Sequence, residues 1–151
     1  KRIKEINSPL AGEMSGHIFF ADKYYGFDDA LYASVRLLSL LAENVNLEKF
    51  MSSLPKTFVS PEIKLHCSDK IKFTIIENIS KNTLENYSSE NITTIDGVRA
   101  KNNYGWWLIR ASNTEEALII RFEGKSIEDK EELFLEVQKR LKKEGLTLEF
   151  N

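Results

Sequence analysis

The sequence predicts an α+β fold, in which an antiparallel sheet of four to five strands carries two helices on one face. Three observations support this class. Apolar and polar residues alternate over residues 63–67, as in a strand with one buried face. Asp96 and Gly97 separate two more strand-like runs, and this dipeptide is a strong signal for a tight hairpin. Apolar residues recur at helical spacing after Ser68 and after Ser126. A shorter α/β segment precedes this part of the chain.

Composition narrows the class of protein. Of the 151 residues, 42% are hydrophobic and 29% are charged, as in a soluble domain that buries a core. The 21 basic and 23 acidic residues leave a net charge of −2, which does not favour nucleic acid or anionic membranes as partners. The single cysteine, Cys67, excludes an internal disulfide and a cysteine-rich zinc site. The most apolar run, residues 37–42, is too short to span a bilayer. We therefore expect a cytoplasmic protein without a nucleic-acid or membrane partner.

The N-terminal residues predict the end of a helix followed by a loop and a strand. Residues 1–6 have the pattern of last helical turns and no N-cap precedes them, so we expect the chain to come from a longer protein. Residues 9–17 contain two glycines and a proline and therefore form a loop. Residues 18–20 are expected to form a short strand.

Two helices are predicted next. Asp28 or Asp29 caps the first, which runs to about Asn44 and has a broad apolar face that should be well covered. Asn46 caps a short second helix, which Pro55 ends.

The most probable domain boundary by composition is Ser52–Pro61, which contains two prolines and three serines. We therefore expect one domain over residues 1–56 and a second over residues 57–151. The second domain is predicted to contain, in order, a strand at 63–67, a helix capped by Ser68 or Asp69, a polar loop at 81–91, strands at 92–95, 98–101, 106–111 and 117–122, a helix from Ser126 to about Lys143, and a strand at 146–150.

The loop between the strands at 106–111 and 117–122 has the composition of a phosphate site. Arg110 supplies a planar fork that can bind two phosphate oxygens. Ser112, Asn113 and Thr114 supply two hydroxyls and an amide, and small polar residues allow backbone N–H groups to converge on an anion. The alternative is an ordinary polar turn between two strands.

A second polar loop lies near the N-terminus. Gly12 and Gly16 bracket Glu13 and Ser15, whose carboxylate and hydroxyl can together bind vicinal sugar hydroxyls. His17 follows, and it is either part of this site or a structural residue that forms hydrogen bonds within the protein. A solvated glycine turn is the simpler interpretation of the whole loop.

Three motifs in this order resemble those of the α-D-phosphohexomutase superfamily, with most similarity to the bacterial phosphomannomutase/phosphoglucomutase branch. They are Gly12–His17, Asp96–Arg99 and Arg110–Thr114. The resemblance covers essentially the whole chain. It implies that residues 1–56 are the tail of a third domain with a linker helix, and that residues 57–151 are a fourth, phosphate-binding domain.

The resemblance implies an isomerase of carbohydrate metabolism that interconverts hexose 6-phosphate and hexose 1-phosphate. In this family, a phosphoserine in the first domain and Mg²⁺ in the second supply the chemistry, and glucose or mannose 1,6-bisphosphate is the intermediate and activator. The chain contains neither a Ser-His-Asn segment nor an Asp-Gly-Asp-Gly-Asp metal loop. It would therefore hold no catalytic residue and no metal ligand, would depend on N-terminal domains of the same protein, and would be inactive alone.

Carried onto this sequence, the resemblance assigns sugar binding to Glu13, Ser15 and His17. The residues assigned to the phosphate that is not transferred are Arg110, Ser112, Asn113 and Thr114. Met14 fits the mannose/glucose branch, although the phosphoglucosamine mutase branch remains an alternative. Glu116 stands where the family often has proline. The absence of proline frees the backbone at this position, and the glutamate adds negative charge beside the anion site.

Two further hypotheses come from other classes of protein. The chain could be a stand-alone module that binds a sugar phosphate without a partner domain. Alternatively, Tyr104, Trp106 and Trp107 could form an aromatic surface for single-stranded nucleic acid. The net charge argues against the second, and adjacent tryptophans on a strand point to opposite faces, so one of them should lie in the core.

Overall fold

The structure is a computed structural model that describes residues 2–13 and 15–149. The chain divides into two compact units, Lys1–Leu54 and Pro55–Asn151. The first unit contains α1 (Arg2–Glu5), β1 (Leu10–Gly12), β2 (Ile18–Phe20), α2 (Ala30–Ala42) and α3 (Leu47–Ser53). The second contains β3 (Phe58–Val59), β4 (Ile63–His66), α4 (Lys72–Asn86), a 3₁₀ turn (Ser89–Asn91), β5 (Ile92–Thr93), β6 (Val98–Lys101), β7 (Gly105–Ala111), β8 (Ala117–Gly124) and α5 (Ile127–Lys143).

In the first unit, β1 and β2 form an antiparallel hairpin around the glycine loop, with Gly12 opposite Ile18. Asp29 caps α2 by accepting a hydrogen bond from the Tyr32 N–H at 2.9 Å, and it accepts another from the Tyr24 hydroxyl at 2.5 Å. The Tyr24 bond lowers the pKa of Asp29 and raises the pKa of Tyr24 to about 12. Asn46 caps α3 in the same way through the Lys49 N–H, as predicted.

The prediction that the apolar face of α2 is well covered is wrong for the described part of this chain. None of the residues of α2 is buried. Leu31 is 82% exposed and Leu38 is 63% exposed. The physical reason is the size of the first unit, since a hairpin with two three-residue strands offers too little apolar surface to cover a 13-residue helix.

The second unit confirms the α+β class and has one antiparallel sheet. The sheet order is β3-β8-β7-β6-β5, and β4 pairs with β8 as well. The sheet therefore has six strands rather than four to five. The additional strand, β3, lies inside the stretch that the sequence analysis assigned to the boundary. Two residues cannot show a periodic pattern, and β3 is held by pairing with Glu123 and Gly124 of β8.

The core lies between the sheet and one layer formed by α4 and α5. Trp107 and Phe122 are its largest side chains, and both are fully buried. The expectation that one of the adjacent tryptophans belongs to the core is confirmed, because Trp106 stays partly exposed on the other face of β7. Leu133, Val137 and Leu141 of α5 are completely buried against the sheet.

Helix α4 differs from the prediction at both ends. Its N-cap is Ile71 and no side chain caps it, so Ser68 and Asp69 do not have that role. It also continues to Asn86, through the segment predicted to be a loop. Tertiary contacts explain the extension, because Thr83 is completely buried and its hydroxyl accepts a hydrogen bond from the Arg140 guanidinium at 3.2 Å.

Helix α5 begins as predicted, because the Ser126 hydroxyl accepts a hydrogen bond from the Asp129 N–H at 3.0 Å. The predicted final strand is wrong for residues 146–149, which have no regular structure, and Phe150 lies outside the described residues. Leu148 is nevertheless buried, and its carbonyl oxygen accepts a hydrogen bond from the Gln138 side chain at 3.0 Å. The alternation of apolar residues in this segment therefore reflects burial of Leu148 without pairing to a neighbouring strand.

Within the described residues, no helix has both the length and the apolar content needed to cross a membrane.

Candidate functional site

The predicted phosphate loop begins at Arg110 near the end of β7, and its residues 112–116 connect β7 to β8. The Ser112 N–H donates to the Ala117 carbonyl oxygen at 2.9 Å and closes the turn. Arg110 is the penultimate residue of β7 and pairs with Ile119 of β8. Asn113 and Thr114 are exposed at the tip of the turn. The fold therefore places all four predicted phosphate-binding residues within one turn and the strand end that leads into it.

Arg110 lies beside the Asp96–Gly97 turn. Its Nη1 atom is 3.7 Å from the Asp96 carboxylate, and about a third of its side chain is exposed. Gly97 has φ +76°, and a Cβ atom at this position would overlap the Arg110 Cβ and the Ile109 carbonyl oxygen. Glycine is therefore required both by the backbone conformation and by the close approach to β7. In the sequence this dipeptide is recognisable as a hairpin signal, but its contact with Arg110 is not.

Ser112 organises the loop internally. It is only 6% exposed, and its hydroxyl oxygen accepts hydrogen bonds from the Thr114 N–H at 3.3 Å and the Glu115 N–H at 3.1 Å. The small polar residues of the loop predict that its N–H groups converge on an anion. In the structure two of them converge on the Ser112 hydroxyl instead, as in the local turns that serine commonly forms.

The two glutamates of the loop are directed to other elements. Glu115 forms an ion pair with Lys64 of β4 at 2.8 Å, and the hydrogen bond from this ammonium raises the pKa of Lys64. The Glu116 carbonyl oxygen accepts from the Cys67 N–H at 2.9 Å, and its carboxylate accepts from the Asp69 N–H at 3.4 Å. Glu116 thus ties the end of the loop to the segment between β4 and α4.

The predicted sugar loop connects β1 to β2. The Ser15 hydroxyl donates to the Glu13 carboxylate at 3.2 Å, so the two side chains lie together and both are exposed. The Glu13 N–H donates to the His17 carbonyl oxygen at 2.9 Å, and Gly16 adopts φ +90°. Met14 lies outside the described residues.

His17 is held by a carboxylate that the sequence analysis considered only as a helix cap. The His17 Nδ1 atom lies 2.5 Å from the Asp28 carboxylate. This contact fixes the orientation of the imidazole and leaves Nε2 as its second polar atom. No pattern of spacing indicates this pair, since it depends on the path of the chain between β2 and α2.

Within the described residues, no group of three or more His, Cys, Asp or Glu side chains has the geometry of a metal site. The chemistry of both loops is that of hydrogen-bond donors and acceptors.

Comparison with known proteins identifies the family of both parts of the chain. Residues 62–142 match the family described as phosphoglucomutase/phosphomannomutase, C-terminal domain. Residues 1–58 match phosphoglucomutase/phosphomannomutase, alpha/beta/alpha domain III. The chain is 40% identical over 143 residues to a phosphomannomutase/phosphoglucomutase of Pseudomonas aeruginosa, covering 94% of this chain and 30% of that protein. It is 37% identical over 123 residues to a phosphoglucomutase of Neisseria gonorrhoeae, covering 81% of this chain and 26% of that protein.

A solved structure shows the same relationship. The crystal structure of a phosphoglucomutase/phosphomannomutase family protein from Burkholderia thailandensis matches with a TM-score of 0.82 and 35% identity, over 99% of this chain and 31% of that one. The fold thus places the chain in a class of α+β proteins built from the phosphoglucomutase/phosphomannomutase domains. The chain belongs to the phosphoglucomutase/phosphomannomutase family and spans about 30% of the length of the curated relatives it matches.

Proposed function

We propose that this chain is the substrate-recognition part of a phosphomannomutase/phosphoglucomutase that interconverts hexose 6-phosphate and hexose 1-phosphate through a phosphoserine and a bisphosphorylated sugar. Glu13, Ser15 and His17 bind the sugar hydroxyls. Arg110, Ser112, Asn113 and Thr114 bind the phosphate that is not transferred. Mg²⁺ and the phosphoserine belong to other parts of the longer protein and supply the phosphoryl-transfer chemistry there.

The observation that carries this proposal is the composition of the turn after β7. A half-buried guanidinium, a hydroxyl and two exposed polar side chains lie within five residues, at a strand end that is paired in the sheet and in the turn that follows it. Arg110 offers two parallel N–H donors to a dianion. When phosphate binds, it replaces the long 3.7 Å contact of Arg110 with Asp96 by shorter charge-assisted bonds.

The sugar loop serves a different part of the same ligand. A carboxylate accepts hydrogen bonds from hydroxyls, and the neighbouring Ser15 hydroxyl can donate or accept. Because the Glu13 and Ser15 side chains lie together, two adjacent sugar hydroxyls can bind to them in place of their mutual hydrogen bond. Recognition through hydroxyls that glucose and mannose share explains why both sugars are compatible with this loop.

The exposed apolar face of α2 fits the same proposal. Large exposed apolar patches indicate an interaction surface. We propose that another part of the longer protein covers this face, because the family domain matched by residues 1–58 has an alpha/beta/alpha architecture, to which the described residues of the first unit supply two short strands.

The proposal is tested by titrating the isotopically labelled 151-residue chain with glucose 6-phosphate and observing the backbone amides. We expect shifts at residues 110–116 in the wild-type chain. The Arg110→Ala change should weaken binding about tenfold or more, since a charge-assisted hydrogen bond contributes roughly 1.5 to 3 kcal/mol.

Two further variants control for charge. Arg110→Lys keeps the charge but loses the planar fork, so its affinity should lie between those of the wild-type chain and Arg110→Ala. Arg99→Ala removes one positive charge from the same face of the sheet and should change the affinity little. Equal affinity of all four chains would contradict the assignment of the phosphate site. Tight binding by the isolated chain would instead favour a stand-alone sugar-phosphate module.

A further inference from the structure

A buried lysine lies directly beneath the phosphate loop. Lys72, the first residue of α4, is 3% exposed, although lysine is rarely buried in proteins. Its Nζ atom donates hydrogen bonds to the Ser112 carbonyl oxygen at 2.6 Å and to the Glu115 carbonyl oxygen at 3.0 Å. Asp69 provides a carboxylate 2.5 Å away, and that carboxylate is itself mostly exposed. An ammonium group without such partners would not be stable in the protein interior.

The two accepting carbonyl groups come from the two sides of the loop tip. They belong to residues three apart, with Asn113 and Thr114 between them. One ammonium group therefore ties together both ends of the segment that carries the exposed phosphate-binding side chains. The sequence gives no sign of this contact, because Lys72 and Ser112 are separated by 40 residues.

Because the peptide group is planar, the direction of each carbonyl that Lys72 holds also fixes the direction of the N–H group in the same peptide. In a trans peptide the C=O and N–H bonds point in opposite directions. The Ser112 carbonyl shares its peptide plane with the Asn113 N–H, and the Glu115 carbonyl shares its plane with the Glu116 N–H. When Lys72 holds both carbonyl oxygens toward the protein interior, these two N–H groups point away from Lys72, toward the outer side of the loop. Outward N–H groups are what an anion needs.

We propose that Lys72 is a positioning residue of the phosphate site, which holds the Ser112 and Glu115 carbonyl oxygens inward and thereby directs the Asn113 and Glu116 N–H groups toward the bound phosphate. This inference rests on the proposed phosphate-binding function of the loop. The ammonium also places a positive charge behind a loop that contains Glu115 and Glu116, so it offsets negative potential where a dianion binds.

The test compares two lysines that lie two residues apart. Lys72→Met keeps the apolar stem and removes the ammonium, whereas Lys70→Met removes the same charge from an exposed side chain. The 151-residue chain is titrated with inorganic phosphate and with glucose 6-phosphate, and the dissociation constant is read from the amide shifts of residues 110–116. We expect Lys72→Met to raise it about tenfold, in line with the loss of charged hydrogen bonds. Lys70→Met should change it less than about twofold, as is usual for an exposed charge.

A general loss of stability is separated from a loss of positioning by a third variant. Gly145→Ala replaces a glycine at φ +76° with open space around it, at the end of α5 and far along the chain from the loop. It should lower the free energy of unfolding without weakening phosphate binding. If Gly145→Ala and Lys72→Met weaken binding equally, the proposed positioning role is wrong.

The wild-type chain provides a measurement that does not depend on the folding of a variant. Nitrogen NMR of the lysine ammonium groups should show slow proton exchange at Lys72 and a coupling across the hydrogen bond to the Ser112 carbonyl carbon. Rapid exchange at Lys72, like that of the exposed lysines, would overturn the inference.

Failure of the inference and failure of the proposed function give different results. Absence of binding to the wild-type chain contradicts the function, whereas unchanged binding to Lys72→Met beside a clear loss in Arg110→Ala contradicts only the role of Lys72. If the wild-type chain binds no phosphate, amide exchange of Thr114 and Glu115 still decides whether Lys72 holds the loop. Faster amide exchange of Thr114 and Glu115 in Lys72→Met than in Lys70→Met would support the positioning role of Lys72. Equal exchange in the two variants would overturn that role.

Discussion

At the residue scale, Gly97 belongs to a hairpin turn that also packs against Arg110 of the candidate phosphate site. The Asp96–Gly97 pair is recognisable from sequence as a hairpin turn. The structure adds that the turn presses against β7 at Arg110, so that the only side chain tolerated at position 97 is a hydrogen atom. Asp96 then lies 3.7 Å from the guanidinium. One dipeptide therefore shapes both the hairpin and the surroundings of Arg110, the arginine proposed to bind phosphate.

We expect Gly97→Ala to destabilise the protein more than Gly145→Ala. Both glycines have φ +76°, so both alanines incur the left-handed backbone cost of about 1 to 2 kcal/mol. Only the alanine at position 97 also overlaps Arg110 and Ile109, which adds about 1 to 3 kcal/mol for overpacking. Urea unfolding of the two variants measures the difference. Equal free energies of unfolding would mean that the close approach to β7 relaxes at no cost.

At the element scale, α4 and α5 begin in different ways. Ser126 caps α5 through its hydroxyl, which accepts a hydrogen bond from the Asp129 N–H. The pKa of Glu128 is lowered mainly by a hydrogen bond from its own backbone N–H, and the hydrogen bond from the Ser126 hydroxyl lowers it further. Helix α4 has no side-chain cap, and its first residue, Lys72, directs its ammonium into the phosphate loop instead. The start of α4 is therefore determined by contacts with another segment rather than by local capping.

We predict that Ser126→Ala lowers the free energy of unfolding by about 1 kcal/mol, the usual cost of losing an N-cap. The matched change Ser68→Ala should lie within about 0.5 kcal/mol of the wild-type value, as for most surface substitutions. Ser68 is a residue type that commonly caps helices, but its hydroxyl accepts a long 3.4 Å hydrogen bond from the Lys70 N–H and does not cap α4. Thermal unfolding followed by circular dichroism measures both. A Ser68 effect as large as that of Ser126 would show that α4 is capped after all.

Helix α4 is joined to the rest of its unit by a polar cluster around Glu136. The Glu136 carboxylate accepts hydrogen bonds from the Tyr87 hydroxyl at 2.5 Å, the Trp107 indole at 3.1 Å and the Arg140 guanidinium at 2.7 Å. The pKa of Tyr87 is raised mainly by burial and, to a smaller extent, by its hydrogen bond to Glu136. Arg140 also reaches Thr83, so one carboxylate and one guanidinium connect α4, α5 and the sheet. These contacts explain why α4 extends beyond its predicted end.

At the scale of the whole molecule, the two units differ in how completely they cover their apolar surfaces. The second unit has a continuous core with fully buried residues in both helices and in the sheet. The first unit leaves Leu31 and its neighbours on α2 exposed. The two candidate loops are divided between the units, the sugar loop in the first and the phosphate loop in the second. Under the proposed function, each unit contributes recognition of a different chemical group.

We expect the 151-residue chain alone to show no mutase turnover of glucose 1-phosphate, even with Mg²⁺ and glucose 1,6-bisphosphate. Its sequence contains no Ser-His-Asn segment to carry the phosphoryl group and no aspartate-rich metal loop. A coupled assay for glucose 6-phosphate measures this, with the Pseudomonas aeruginosa relative as the positive control. Turnover that survives in Arg110→Ala would point to a contaminating enzyme. Turnover that Arg110→Ala abolishes would refute the claim that the missing loops are essential.

Local patterns in the sequence were sufficient for the fold class, the strands β4, β6, β7 and β8, the caps of α2, α3 and α5, and the two candidate loops. These features depend on residues within about one turn or one hairpin of each other, so short-range spacing predicts them. Tertiary structure alone decided the strand β3, the length of α4, the exposure of α2, and the contacts of Lys72, Asp96 and Asp28 with the candidate loops. The physical reason is distance along the chain. The hydrogen bond between Lys72 and Ser112 spans 40 residues, and only the completed sheet brings its two partners together.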